Sequence, residues 1–202
     1  MAKLDLHGHF LETAARLSAP LRDDLAALGP VWFPEREDHG VAAFLGRAVI
    51  GQQVSAAAAR TIWGRIERAA AETAVPLAGL FAEAHAATLK SCGASGPKVK
   101  ALIGIGAADA AGDLSRERLV ALEPECRTVH LMRIWGVGQW TCDMLSIFYF
   151  RELDTWPEGD LAVQRAFRRY IGRRKPARAA AAFAPYRSIL ALYMWRLAGG
   201  AV

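Results

Sequence analysis

The sequence predicts an all-α fold, and three observations carry that expectation. Alanine supplies 40 of the 202 residues while Val and Ile together supply 20, a balance that favours helix because alanine loses no side-chain entropy on entering one. Apolar residues recur at helical spacing, as at Val41, Phe44, Leu45, Ala48 and Val49. The segment from Asp160 to Ile171 sets Val163, Ala166, Phe167, Tyr170 and Ile171 on one arc of a helical wheel, with Arg165, Arg168 and Arg169 opposite. A chain of this length buries a full core, as one unit or as two closely packed lobes. The expectation is a single helical unit over 1–202, with a central lobe at 40–150 and a second lobe made of 1–39 and 151–202.

The elements follow in order. Short helices are expected at about 9–17 and 20–28, the second opening on Pro20 and closing on Gly29-Pro30. A loop, Val31-Trp32-Phe33-Pro34, presents large aromatics before the helix that starts at Val41 and ends near Gly51. Ser55 stands where an N-cap is wanted, ahead of the alanine-rich run Ala56 to Ala71, so Gly51-Gln52-Gln53-Val54-Ser55 reads as a tight joint between helices. From Leu77 to Leu122, Gly93, Gly96-Pro97, Gly104, Gly106 and Gly112 punctuate three or four short helices. Apolar helical positions from Leu131 lead into Gly136-Val137-Gly138, and a second, almost wholly apolar helix runs from Trp140 to about Phe150. No repeat of fixed period is present.

Charge and cysteine usage narrow the classes. A net charge of +5 and a pI near 9.4 suit a polyanionic partner without identifying one. Cys92, Cys126 and Cys142 are scattered and odd in number, so no disulfide framework or CxxC pair is available. This reads as a reduced, intracellular chain. No stretch approaches the ~20 apolar residues needed to span a bilayer, and no partner membrane is expected. His7, His9, Asp23, Asp24, Asp38 and His39 lack metal-ligand spacing.

Two local patterns carry chemistry. Helices joined by a Gly-x-Gly turn can present bare backbone N–H groups at a helix N-terminus, where hydrogen bonding and the helix dipole both favour a phosphate; alone, such a turn is more often a plain turn. Asp160 opens the amphipathic helix and projects with its apolar arc. It reads either as an N-cap or as an inward carboxylate able to stabilise positive charge developing on a sugar.

Taken together, Gly136-Val137-Gly138-Gln139-Trp140-Thr141 followed by Trp156-Pro157-Glu158-Gly159-Asp160-Leu161 resembles the hairpin and Gly-Pro-Asp signature of the helix-hairpin-helix DNA glycosylases. Ile50-Gly51-Gln52-Gln53-Val54-Ser55 with Ala58-Ala59 is similar to the joint that the 3-methyladenine glycosylase II branch places against a flipped nucleotide, and Pro185-Tyr186-Arg187-Ser188 leading into Leu192-Tyr193-Met194-Trp195 is similar to that branch as well. These matches run in the expected order from about residue 40 to 198. Trp135 stands where the family often has proline, and the mixed N-terminal domain of larger relatives has no counterpart in these residues.

The resemblance implies two helical lobes flanking an active-site cleft, with Asp160 as the catalytic carboxylate. It implies a DNA repair enzyme that flips an alkylated, 3-methyladenine-like base out of double-stranded DNA and hydrolyses its glycosidic bond, as a monomer and without a cofactor. Bifunctional relatives carry a lysine nucleophile where Trp140 stands, so no lyase step is expected; iron–sulfur members need four cysteines. A cationic base suits an aromatic pocket, with Trp140 and Tyr186 placed there by resemblance and Met144 where some relatives have tyrosine. Trp32 and Phe33 are pocket candidates from their loop; ordinary core packing is the alternative for all of these. Gly136, Val137, Gly138, Gln52, Gln53, Ser55 and Arg165 are the candidate DNA contacts, with the wedge expected from the Gln52-Gln53 joint. Two other functions remain open: a non-enzymatic DNA-binding module, and a glycosylase for mismatched or oxidised bases.

Overall fold

A computed structural model of the chain describes residues 3–35 and 39–199; Asp38 lies outside them. Every regular element among the described residues is helical: α1 (Lys3–Leu17), α2 (Ala19–Leu28), α3 (Val41–Gly51), α4 (Ala56–Thr73), α5 (Ala86–Ser91), α6 (Gly96–Ala110), α7 (Arg116–Val120), α8 (Pro124–Leu131), α9 (Gln139–Met144), α10 (Leu161–Ile171), α11 (Pro176–Ala180) and α12 (Arg187–Leu197). A single π-helical stretch, Leu145–Tyr149, extends α9. The chain groups into two compact units, one of Met1–Arg36 with Ser146–Val202 and one of Glu37–Leu145.

The first unit is organised around α12. Its run Ser188 to Met194 is buried without interruption, as an element apolar on all sides must be. Phe10 from α1 lies 5.2 Å from Phe183 and 5.5 Å from Tyr193 by ring centroids, and Phe167 of α10 meets Phe183 edge-on at 6.4 Å. Val163, Ala166, Phe167 and Ile171 form the buried face of α10, the arc expected from its sequence apart from Tyr170, which is half-buried and donates from its hydroxyl to Asp24 Oδ2 at 2.6 Å. The Tyr193 hydroxyl, in the middle of this core, accepts from the Val31 backbone N–H at 3.2 Å and pairs with His7 Nδ1 at 2.6 Å. That bond fixes the loop carrying Trp32 and Phe33. Helix α1 begins at Lys3 rather than near residue 9, because Leu6, Phe10 and Ala14 extend its buried stripe toward the N-terminus.

The second unit centres on α3, where Val41, Ala42, Ala43, Leu45, Gly46, Val49 and Ile50 are all buried. The Ser55 hydroxyl caps α4 by accepting from the Ala58 N–H at 3.2 Å, as its position predicts. One expectation fails here. Gly104 and Gly106 lie inside α6, a helix of 15 residues, and are not turns. A Cβ at Gly106 would stand 2.2 Å from the Phe81 carbonyl oxygen, and one at Gly46 would stand 2.8 Å from the Phe81 ring. These glycines serve the close approach of Phe81 to two helices, a tertiary requirement that local turn chemistry does not reveal.

Candidate functional site

In the second unit the hairpin is assembled from α8 and α9. Helix α8 ends at Leu131, earlier than the apolar pattern suggests, and 132–135 continue as overlapping turns closed by Ile134 N–H to Leu131 O at 3.0 Å and Val137 N–H to Ile134 O at 3.0 Å. Gly136 has φ +87, and a Cβ there would meet the Ala101 Cβ of α6 at 2.7 Å, so no other residue fits both the backbone and the space. Gly138 is extended (φ −110, ψ 179) and caps α9, with nothing within 4 Å of its Cβ position. The first helical bond of α9 runs from the Cys142 N–H to the Gly138 carbonyl at 3.1 Å, as expected one turn into a helix. The Val137 side chain is 4 % exposed and its backbone N–H is bonded to the Ile134 carbonyl, so of its backbone only the carbonyl is left.

The joint between α3 and α4 is bonded to this hairpin. Gln52 Nε2 donates to the Gly136 carbonyl at 3.2 Å and to Thr141 Oγ1 at 3.1 Å, while Lys98 Nζ donates to the Ile50 carbonyl at 2.7 Å. Gln53 is exposed and holds φ +56, a left-handed conformation that is unusual for a residue other than glycine. Thus Gln52 is engaged within the protein, and Gln53 is the exposed side chain of the pair.

Sequence reasoning missed a second carboxylate in this unit. Asp143 of α9 is buried, accepts a 2.8 Å bond from Gln139 Nε2 one turn back, and has its pKa pushed up to about 6 by burial, which outweighs that bond. The available signal was an acidic residue inside the apolar run 140–150. The neighbouring Cys142 thiol is pushed up to about 11 by burial and by Asp143. Because the Asp143 carboxyl binds its proton more tightly folded than unfolded (ordinary value 3.8), its protonated form supports the fold fully below about pH 4. That support, on the order of 3 kcal/mol, is lost as pH rises through about 6. Urea midpoints measured across this window should fall with rising pH in the wild type and stay flatter in Asp143→Asn; parallel curves for the two proteins would remove this burial effect. Beside it, Trp140 is half-buried and Met144 is buried.

In the first unit, Asp160 is 8 % exposed and also caps α10, its Oδ1 accepting from the Val163 N–H at 2.9 Å. Asp160 is therefore both an N-cap and a buried carboxylate. Its approach is rigid. Asp160 N–H donates to the Pro157 carbonyl at 3.0 Å, and Arg187 grips Asp154 through Nε to Oδ1 at 2.7 Å and Nη2 to Oδ2 at 2.8 Å. The guanidinium holds the Asp154 carboxyl below its ordinary pKa. Ser188 Oγ accepts from the Thr155 N–H at 2.9 Å, so 154–155 are tied to the start of α12. Two buried donors near Asp160 lack protein partners: Trp156 Nε1, whose ring meets Phe167 edge-on at 5.5 Å, and Gln164 Nε2, one turn along α10. Gln164 was legible as the i+4 neighbour of Asp160. Arg165 and Glu158 are exposed.

The remaining pocket candidates in this unit lie apart in sequence. Tyr186, at the N-cap of α12, is half-buried with its ring edge-on to His9 at 6.4 Å. Trp32 is half-buried and Phe33 buried, paired edge-on at 5.5 Å. No group of three or more His, Cys, Asp or Glu side chains among the described residues is arranged to hold a metal ion, and no helix there is long and apolar enough to cross a membrane.

No family model matches the sequence. The chain is 28% identical over 158 residues to DNA-3-methyladenine glycosylase 1 of Schizosaccharomyces pombe, covering 74% of this chain and 69% of the relative. Its fold superposes with a TM-score of 0.78 on the same yeast's 3-methyladenine DNA glycosylase in complex with abasic DNA, at 25% identity, covering 92% of this chain and 95% of that one. A DNA-3-methyladenine glycosidase from Bacillus halodurans matches with a TM-score of 0.76 and 25% identity over 93% of this chain and 88% of that one. The chain is homologous to the 3-methyladenine DNA glycosylases, and its fold is the helix-hairpin-helix glycosylase fold.

Proposed function

We infer that this chain is a DNA repair glycosylase that hydrolyses the N-glycosidic bond of alkylated bases and leaves an abasic site. The observation that carries the reading is Asp160, a buried carboxylate held at the N-terminus of α10 by its bond to Val163, in a chain homologous to 3-methyladenine glycosylases.

In this reading a damaged nucleotide is extruded from the duplex, at a few kcal/mol that weak pairing at the lesion reduces. Gln53 fills the gap, since Gln52 is bonded to Gly136 and Thr141. The hairpin N–H groups of Gly136 and Gly138 hold a phosphate, that of Val137 being bonded to the Ile134 carbonyl, with Ser55 and Arg165 as further backbone contacts. As the C1′–N bond breaks, its electrons leave with the base and neutralise its positive charge, so no general acid is required. Asp160 stabilises the oxocarbenium-like sugar and accepts the proton of the water whose oxygen bonds to C1′. Trp140 and Tyr186 supply aromatic faces for a cationic base, worth ~0.5 to 2 kcal/mol each, with Met144, Trp32 and Phe33 as further wall candidates. Membership of the glycosylase II branch, action as a monomer and an intracellular setting belong to the same proposal.

The DNA product tests the hydrolytic part of this reading. After reaction with methylated duplex, the strand should carry abasic sites that break only after alkali, and borohydride should trap no protein–DNA adduct, because Trp140 stands where a lysine nucleophile would be. Efficient trapping would make the chain a lyase acting through an amine elsewhere.

A further inference from the structure

Trp135, which stands where the family often has proline, is 50 % exposed, and the ammonium of Lys100 lies over its ring at 4.5 Å from the centroid. The contact follows from the packing beneath it. Gly136 lets the hairpin close on Ala101, where a Cβ would come to 2.7 Å, and so brings the preceding residue of each segment, Trp135 and Lys100, side by side above that contact. The attraction of a cation for an indole face holds the pair together, and both residues remain exposed. Lys98 faces inward to the Ile50 carbonyl, whereas Lys100 has its charge at the surface.

The two segments that bear the pair carry one sign of charge. Residues 94–106 and 131–141 contain Lys98, Lys100 and Arg133 and no Asp or Glu, in a chain with 20 acidic residues. An exposed indole with a cation on its face, borne by two segments without acids beside the Gly136-Val137-Gly138 turn, is complementary to a chain of alternating sugar and phosphate. A protein partner would be served by the apolar face alone and would gain nothing from the absence of acids in these two segments.

We propose that Trp135 and Lys100 form a platform that extends the hairpin contact along the DNA backbone, Lys100 neutralising the phosphate next to the one held by the hairpin and Trp135 packing on the intervening deoxyribose. This rests on the DNA glycosylase reading given above.

The test is the salt dependence of duplex binding by the full chain, read by fluorescence anisotropy on undamaged and abasic duplexes between about 50 and about 200 mM KCl, the range over which phosphate contacts are resolved. Lys100→Ala should lower the slope of log affinity against log salt by about 0.9, so that its deficit against wild type shrinks roughly threefold across that range, and Lys100→Arg should restore the slope. Trp135→Ala should weaken binding to both duplexes alike. A wild-type slope in Lys100→Ala overturns the platform, as does a Trp135→Ala variant that melts earlier yet binds normally, which would make the pair only a tie between α6 and the hairpin. Base release by the wild type, measured separately, distinguishes the two ideas. A reduced slope with no base release sinks the glycosylase reading alone, and base release with an unchanged slope sinks the platform alone.

Discussion

Asp160→Asn should retain the fold and duplex affinity of the wild type and lose base release by a factor on the order of 10² or more, the size expected when a group acts mainly on charge that develops in the transition state. The structure explains why asparagine is the informative replacement. The Asp160 carboxylate caps α10 through Val163, and an amide oxygen in the same place accepts the same bond, since Asn ranks with Asp as a cap. Alanine would remove the cap as well and cost about 1 kcal/mol of stability, confusing a structural loss with a chemical one. With the cap kept, what changes is the charge. Single-turnover base release at saturating protein, beside a melting curve and an anisotropy titration, separates the three quantities. Near-normal release by a folded Asp160→Asn would remove Asp160 from the mechanism.

The second large effect divides the clamp from the pocket. Gly138→Asp should weaken binding to damaged and undamaged duplex alike by roughly tenfold or more, since it sets a negative charge at the proposed phosphate contact. It should do so without unfolding the protein, because Gly138 has an extended backbone open to any residue and an empty Cβ position. Gly136 could not serve this purpose, given its φ of +87 and its approach to Ala101. Preference among alkylated bases should survive in Gly138→Asp, whose proposed contact is to backbone and not to bases. Trp140→Ala should do the reverse, leaving undamaged-duplex binding near normal and reducing release of cationic bases. Trp140 is half-buried, so circular dichroism must show that the variant is folded. If both folded variants lost the same property to the same degree, the division between clamp and pocket would be wrong.

Much of this architecture was legible in the sequence for a physical reason: helices announce themselves by period and by caps, as at α3, α4 and α10. The departures all come from tertiary contacts. Gly106 resembles a turn residue until the Phe81 carbonyl is placed against it, and the start of α1 depends on what Leu6 and Phe10 cover. At the site, a carboxylate at a helix start was visible, but its near-complete burial was not, because burial is a property of neighbours. Gln52 and Gln53 are equivalent as letters. Only the hairpin geometry assigns the first to an internal bond and leaves the second exposed in a left-handed conformation. Asp143 went unnoticed because it matched no motif, although an acidic residue in an apolar helix is itself a signal.

The most direct test of the whole account is the identity of the free bases released when the wild-type chain is incubated with methylated duplex DNA. Free N3- and N7-methylated purines, with 3-methyladenine among them, should appear as enzyme-dependent products while unmodified bases stay in the strand. Tight binding to the same duplex with no base released would contradict it, and would leave the chain a helix-hairpin-helix module that grips DNA without cutting the glycosidic bond.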